Sequence, residues 1–320
     1  MSVISRCNLS DVERQMDKIG LNNYKDLKYK FFITNSALNI DNFIKIQSID
    51  EIPIDQIKES LFYLYFDTDD LYVYHLDKII KYNGKFLTQI NYGKYNYVHA
   101  NKNCKLAVRK TIDNDCKRNS SNLRQIQHAN ICQALEQTRD LPGSYVEIGV
   151  YKGDSALTAI NYMKYSNIIR ESYFLDTYEG FDYTEAVNSS ETHWKPNNNS
   201  HKIMPVDEHI KYVKDLLGSH SHNNNFNIVK SNICKDKLPD NIKNIAVANI
   251  DVDLYDATRD ALEKVAPKIV KGGIIIAEDP TSTPYLIGAF YAMEKFLKTE
   301  EGKKFMKLHL LGQYFLIKMK

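Results

Sequence analysis

The most constraining feature of this 320-residue chain is a regular alternation of strand-like and helix-like patterns from about residue 123 to the C-terminus. Leu123 to Arg139 carries apolar residues at helical spacing and stops before the breaker Leu141-Pro142-Gly143. A strand is expected at 144–149, then a turn (VYKGDS) and a helix over about 155–166. Further strands are expected at 172–176, 226–230, 245–251 and 273–278, interspersed with helices near 206–217, 256–266 and 285–298. Two closing strands, at about 305–311 and 313–319, complete the pattern. Strands and helices in this order predict an α/β fold whose mostly parallel sheet is covered by helices on both faces.

The first part of the chain has a different texture. Apolar Tyr-rich stretches such as Leu61-Phe62-Tyr63-Leu64-Tyr65-Phe66 and Leu71-Tyr72-Val73-Tyr74 alternate as strands do, and 55–64 has the spacing of a short helix. The basic, polar run Arg109 to Asn122 reads as a connector. These patterns divide the chain into an N-terminal extension or small α+β domain over 1–118 and a regular domain over 119–320.

Composition excludes more than it assigns. With 42 basic and 40 acidic residues the formal charge is +2, which argues for a mixed, solvated surface and against nucleic acid as a partner. The N-terminus lacks the apolar core of a signal peptide, and no apolar run is long enough to span a bilayer. Cys7, Cys104, Cys116, Cys132 and Cys234 are scattered and never form a CxxC pair. They read as free thiols in a reducing cytoplasm.

In open α/β sheets ligands bind beyond the carboxyl ends of the strands, so the polar residues that end each strand are the informative ones. In VEIGVYKGDS, Gly149 and Gly153 permit a tight turn and close backbone approach to a ligand, with Ser155 opening the next helix. Glu147 lies within the strand end, where a carboxylate needs a cation or a donor. The spacing is not that of a dinucleotide GxGxxG. Asp176 ends the next strand; an acid there suits the two hydroxyls of a ribose, or equally caps a following turn. Two continuously apolar strands then end abruptly in acids, IAVANID at Asp251 and GIIIAED at Glu278-Asp279. Three carboxylates sharing one crevice repel unless a cation or proton joins them, and an all-oxygen set suits Mg²⁺. Asp253 is read as a ligand or as the cap of a helix beginning at Asp256.

These residues resemble the macrocin O-methyltransferase (TylF-like) family of class I methyltransferases, which act on sugar hydroxyls. The resemblance covers about Asn122 to the C-terminus: the helix Leu123 to Arg139, PGSYVEIGVYKGDS, FLDTYEGF, IDVDLYDATRDALEKVAPKIVKGG and IIIAED before GAFYAMEKFL. IDVDLYDAT with an acidic pair at this distance is specific to the family; the glycine turn is generic. The resemblance implies a Rossmann-like seven-stranded sheet with an antiparallel last strand, S-adenosylmethionine as methyl donor and a divalent cation, usually Mg²⁺. It implies Asp251, Glu278 and Asp279 as metal ligands with Asp251 also the base. Glu147, Gly149, Gly153 and Ser155 fall in the donor-binding turn, Asp176 is the ribose acid, and Ser231 stands on the adenine side. Three positions depart from the pattern. Glu278 stands where Asp is usual, Asp154 replaces a second Gly, and Ser231-Asn232-Ile233 lacks a Gly-aromatic pair.

The expected partner is a small-molecule or glycan hydroxyl, and a homo-oligomer is compatible with the chain. His193, His201 and His209 lie in or beside a polar segment and compete with Asp251 for the role of base, while Trp194 and Tyr183 are candidates to stack on a sugar. Two other classes were weighed. A nucleotide-dependent epimerase or oxidoreductase needs a nicotinamide fingerprint that is absent and a Tyr-x-x-x-Lys pair after a strand, whereas the Tyr24 to Lys28 pair falls outside the sheet region. A non-enzymatic glycan-binding or scaffold protein would bind no S-adenosylmethionine.

Overall fold

A computed structural model describes residues 27–34, 43–65, 69–88, 101–117, 125–189, 202–221, 225–278, 287–310 and 313–320. The chain divides into two units, residues 1–102 and 103–320.

The first unit holds a four-stranded sheet in the order β2-β1-β3-β4, built from β1 (Tyr29–Thr34), β2 (Ile44–Ile46), β3 (Ser60–Tyr65) and β4 (Lys85–Thr88). Every pairing in it is parallel. The crossover from β3 to β4 is the helix α1 (Asp69–Lys81), where alternation around 61–75 had suggested a strand. His75 and Ile79, four residues apart, are buried on one side of α1, while Tyr74 and Ile80 are exposed. The period is therefore helical, and a cluster of aromatic and β-branched residues had imitated alternation. The helix expected over 55–64 is confined to Ile54–Ile57, and strand β3 takes the remainder.

The second unit begins with α2 (Lys102–Lys117), so the run read as a connector from Arg109 is helical through Lys117. Cys104, Ala107, Val108 and Thr111 form its buried stripe, with Arg109 and Lys110 outward. After it come α3 (Gln125–Gln137), β5 (Ser144–Ile148), α4 (Asp154–Tyr165), β6 (Ser172–Asp176), α5 (Val206–Gly218), β7 (Phe226–Lys230) and β8 (Ile245–Ile250). The chain ends with α6 (Tyr255–Val265), β9 (Ile269–Ala277), α7 (Gly288–Phe296), β10 (Phe305–Leu310) and β11 (Gln313–Lys318). Thr158 of α4 joins Thr111 of α2 and His128 of α3 in a buried hydrogen-bonded triad, each contact 2.7 Å. Burial pushes the His128 imidazole down to about 4, so it is neutral at physiological pH.

The seven strands order as β10-β11-β9-β8-β5-β6-β7. Only β11 is reversed, pairing antiparallel with β9 and β10. This is the α/β fold expected from the alternation. One sheet face carries Val146, Ile148, Leu175, Ala248, Ile250 and Ile275, which pack with Ala261, Leu262 and Val265 of α6 and Met293 and Phe296 of α7. Alternation along each strand sends Tyr145, Glu147, Phe174 and Asn249 to the other face. From β5 the chain proceeds through β6 and β7 on one side, then returns to β8 and β9 on the other. The carboxyl ends of β5 and β8 therefore form the topological switch point.

At that point Gly149 has φ +90°, and a Cβ added there would lie 1.8 Å from the carbonyl oxygen of Asp251 and 2.6 Å from its carbon. The glycine is needed here for the approach of two backbones, that of the turn after β5 and that of the end of β8. Gly153 has φ +82°, but a Cβ there would meet only Leu216 and Val213 side chains at 3.4 Å or more. Gly149→Ala is therefore expected to cost about 3 kcal/mol or more, and Gly153→Ala about 1–2 kcal/mol, from backbone strain alone in the latter. Denaturant unfolding of both variants checks this, and equal losses would contradict the close approach at Gly149.

Candidate active site

Each acid at the strand ends has a distinct local environment. Glu147 is fully buried at the end of β5. Tyr145 donates to its Oε2 at 2.6 Å and Ser155, in the first turn of α4, donates to its Oε1 at 2.7 Å. Burial pushes the Glu147 carboxyl up to about 7, against the opposing effect of hydrogen bonds from Tyr145, Ser155 and Asn249. Ser155 therefore lies in the turn as expected, and its proton is directed to Glu147.

Asp176, at the end of β6, accepts three backbone N–H groups. Val150 and Tyr151 donate to Oδ2 at 2.6 and 3.0 Å, and Tyr178 donates to Oδ1 at 2.7 Å. Its carboxylate thus ties the turn after β5 to the turn after β6. An ionised carboxylate has about four acceptor positions, so about one is left for a ribose hydroxyl. These contacts make Asp176 the cap of the turn that follows its strand.

The backbone around these acids is strained. Tyr151, Tyr178 and Asp253 have φ of 46°, 57° and 60°, and they follow β5, β6 and β8 respectively. Left-handed conformations of non-glycine residues cost about 1–3 kcal/mol each and concentrate at functional sites. Tyr151 is clamped from both sides. Its N–H reaches Asp176, and its carbonyl accepts from Nε2 of His209 on α5 at 2.7 Å. A carbonyl can only accept, so the Nε2 of His209 carries a proton. His209 is 2% exposed, and its ring meets Tyr178 edge to face at 5.2 Å. It supports the turn, which is a structural role; His193, His201 and Trp194 lie outside the described residues.

Ser231 follows β7, and its N–H donates to the carbonyl of Asp176 at 2.8 Å. Its Oγ is buried and has no hydrogen-bond partner. A buried hydroxyl without a partner is costly, and here it lies beside the end of β6, where a bound polar group would satisfy it. The next residues form a turn in which Asn232 donates to Glu185 at 2.8 Å and Glu185 pairs with Lys235 at 3.0 Å. Where the Gly-aromatic pair is missing, a polar clasp fixes the turn to the one-turn helix Thr184–Val187. Tyr183, just before that helix, is partly buried and packs against the sheet core, which favours packing over stacking on a sugar.

Asp251 and Glu278 stand one residue beyond the last registered pair of β8 and β9, Ile250 opposite Ala277. The Asp251 N–H donates to the carbonyl of Ile148 at 2.8 Å, and that of Glu278 donates to the carbonyl of Ile250 at 3.0 Å. The two carboxylates are thereby placed on neighbouring strand ends. Asn249 Nδ2 donates to Glu278 Oε1 at 3.1 Å. Asp279 lies outside the described residues, and among the described residues no group of three or more His, Cys, Asp or Glu side chains gathers as a metal site. The helix α6 starts at Tyr255, and Leu254, not Asp253, holds its N-cap position.

Sequence reasoning missed Asn249 and His209's clamp on Tyr151. The signal for the first was present, a single amide inside the apolar strand IAVANID.

Because the folded state holds the Glu147 proton more tightly than an unfolded chain does, this carboxyl contributes stability that is fully present below its ordinary value of 4.5 and lost as pH rises through about 7. In ligand-free protein Glu147→Gln should remove that slope, worth up to about 3 kcal/mol. Thermal melts across this pH window test it, and an unchanged pH dependence in the variant would contradict it.

A family model and several known proteins are similar to this chain. The family model described as macrocin O-methyltransferase (TylF) matches residues 97–305, about two-thirds of the chain. A curated relative from Streptomyces olivaceus, the 8-demethyl-8-(2,3-dimethoxy-alpha-L-rhamnosyl)-tetracenomycin-C 4'-O-methyltransferase, is 25% identical over 169 residues. That match covers 49% of this chain and 60% of the relative, so the chain spans under two-thirds of the relative's length. Among solved structures, the calicheamicin methyltransferase CalS11 aligns with TM-score 0.47 and 19% identity, covering 67% of this chain and 91% of that one. The O-methyltransferase NovP aligns with TM-score 0.46 and 18% identity, covering 63% and 84%. With the family model matched over most of its length, this chain belongs to the macrocin O-methyltransferase (TylF) family.

Proposed function

We propose that this chain is an S-adenosylmethionine-dependent O-methyltransferase, assisted by a divalent cation such as Mg²⁺, that methylates a hydroxyl of a sugar. One observation supports the reading: Glu147, Asp176, Asp251 and Glu278 lie at or just beyond the carboxyl ends of four adjacent strands, β5, β6, β8 and β9. Family membership and the sugar-directed name of the Streptomyces relative support the acceptor class.

The residues fit both groups. For the donor, Asp176 has about one acceptor position left for a ribose hydroxyl and Ser231 offers a buried, unpartnered Oγ. For the cation, Asp251, Glu278 and Asp279 offer oxygen ligands only, which suits a hard ion that keeps water or substrate oxygens. When bound, the donor supplies a sulfonium-activated methyl and the cation lowers the pKa of an acceptor hydroxyl.

The protein's own task is to align and to deprotonate. The clamped turn from Gly149 to Gly153 fixes the donor side with few remaining degrees of freedom. Asp251 is partly exposed at its strand end and acts as the base, taking the hydroxyl proton as the oxygen gains the methyl. Glu147 is sealed beneath the turn and does not meet the acceptor.

Asp251→Asn is expected to lower turnover by about 10²- to 10⁴-fold, the usual span for general-base contributions, while donor affinity changes less than about threefold. Methyl-transfer assays and calorimetric titration with S-adenosylhomocysteine measure the two. Unchanged turnover would reject Asp251 as base, and loss of donor binding would place it on the donor side instead.

A further inference from the structure

Asn249 is fully buried in the middle of the sheet, directly opposite Glu147 in the register of β5 and β8. Across the other flank of β8 it pairs with Ile276, two residues before Glu278. By strand alternation Glu147, Asn249 and Glu278 share one face of three adjacent strands. The Asn249 amide donates to Glu278 Oε1 at 3.1 Å. Its own Oδ1 is buried and has no hydrogen-bond partner.

An ionised carboxylate only accepts, so a side-chain amide meets it through an N–H. A flipped amide would turn Oδ1 toward the Glu278 oxygen, so Glu278 fixes the orientation of Asn249 and the buried Oδ1 is left without a partner.

We propose that Asn249 is a positioning residue whose N–H bond holds the Glu278 carboxylate in one fixed arrangement on the cation side. The inference rests on the reading of Asp251, Glu278 and Asp279 as cation ligands. Glu278 has one more methylene than Asp and hence one more rotatable bond, so a ligand role for it calls for a restraint on that longer arm. Asn249 supplies the restraint from beneath.

The test is Mn²⁺ binding by electron paramagnetic resonance in the full chain, for wild type, Asn249→Leu and Glu278→Gln and for the double variant. Losing a hydrogen-bond partner of a ligand is expected to weaken Mn²⁺ binding about 10- to 100-fold in Asn249→Leu. In the Glu278→Gln background the same change should cost less than about threefold, because the arm it restrains no longer binds the ion. A merely structural role for Asn249 would give equal losses in both backgrounds. Asn249→Ser, which replaces the amide arm with a short hydroxyl, serves the same comparison where Asn249→Leu fails to melt cooperatively. Wild-type affinity in a folded Asn249 variant, or fully additive losses, would overturn the assignment alone. A wild-type chain that binds no Mn²⁺ would overturn the cation reading and this assignment with it.

Discussion

The second unit depends on one close approach, that of the backbone at Gly149 to the carbonyl of Asp251. No side chain fits between them, since a Cβ at residue 149 would stand 1.8 Å from that oxygen. The contact sets the ends of β5 and β8 against each other at the switch point. It places Glu147 beneath the turn and Asp251 at its edge. The turn then continues into left-handed Tyr151, held by Asp176 and His209. Core packing by α6 and α7 on the far face makes the sheet rigid enough to hold this strain.

A second constraint follows from the cost of burying charge. Glu147 and Glu278 are both nearly inaccessible, and such acids persist only where donors or cations meet them. Tyr145 and Ser155 serve Glu147, while Asn249 serves Glu278. These polar groups share one sheet face, and the core cluster on the other face is built mainly of apolar side chains. Asp176 repeats the principle at the next strand, where three backbone donors hold a carboxylate in place.

Much of this was legible in the sequence, for identifiable reasons. The strands at 172–176 and 226–230 fall where expected because each is a short apolar run bounded by polar breaks. The acids at strand ends stood out because they interrupt continuous apolar runs. Less was visible where one residue type serves two geometries. Leu71 to Tyr74 lies in a helix, although its residues favour strands, because burial of His75 and Ile79 follows a four-residue spacing. The basic run from Arg109 conceals a buried stripe at Cys104, Ala107, Val108 and Thr111. Gly149 reads in the sequence as a tight turn, but its close approach to Asp251 joins residues about a hundred positions apart, which no local pattern encodes. Asn249 passes as part of an apolar strand, although its amide is the donor that Glu278 meets.

Methyl transfer at a cation-assisted site on these strand ends is tested most directly by transfer of a labelled methyl group from S-adenosylmethionine to a panel of glycosides and nucleotide sugars, after chelation and again after Mg²⁺ is restored. Label should appear on a sugar hydroxyl, fall to background after chelation and return with Mg²⁺. Full transfer in the chelated protein would contradict the cation's role, and absence of transfer to any hydroxyl across the panel would contradict the acceptor class.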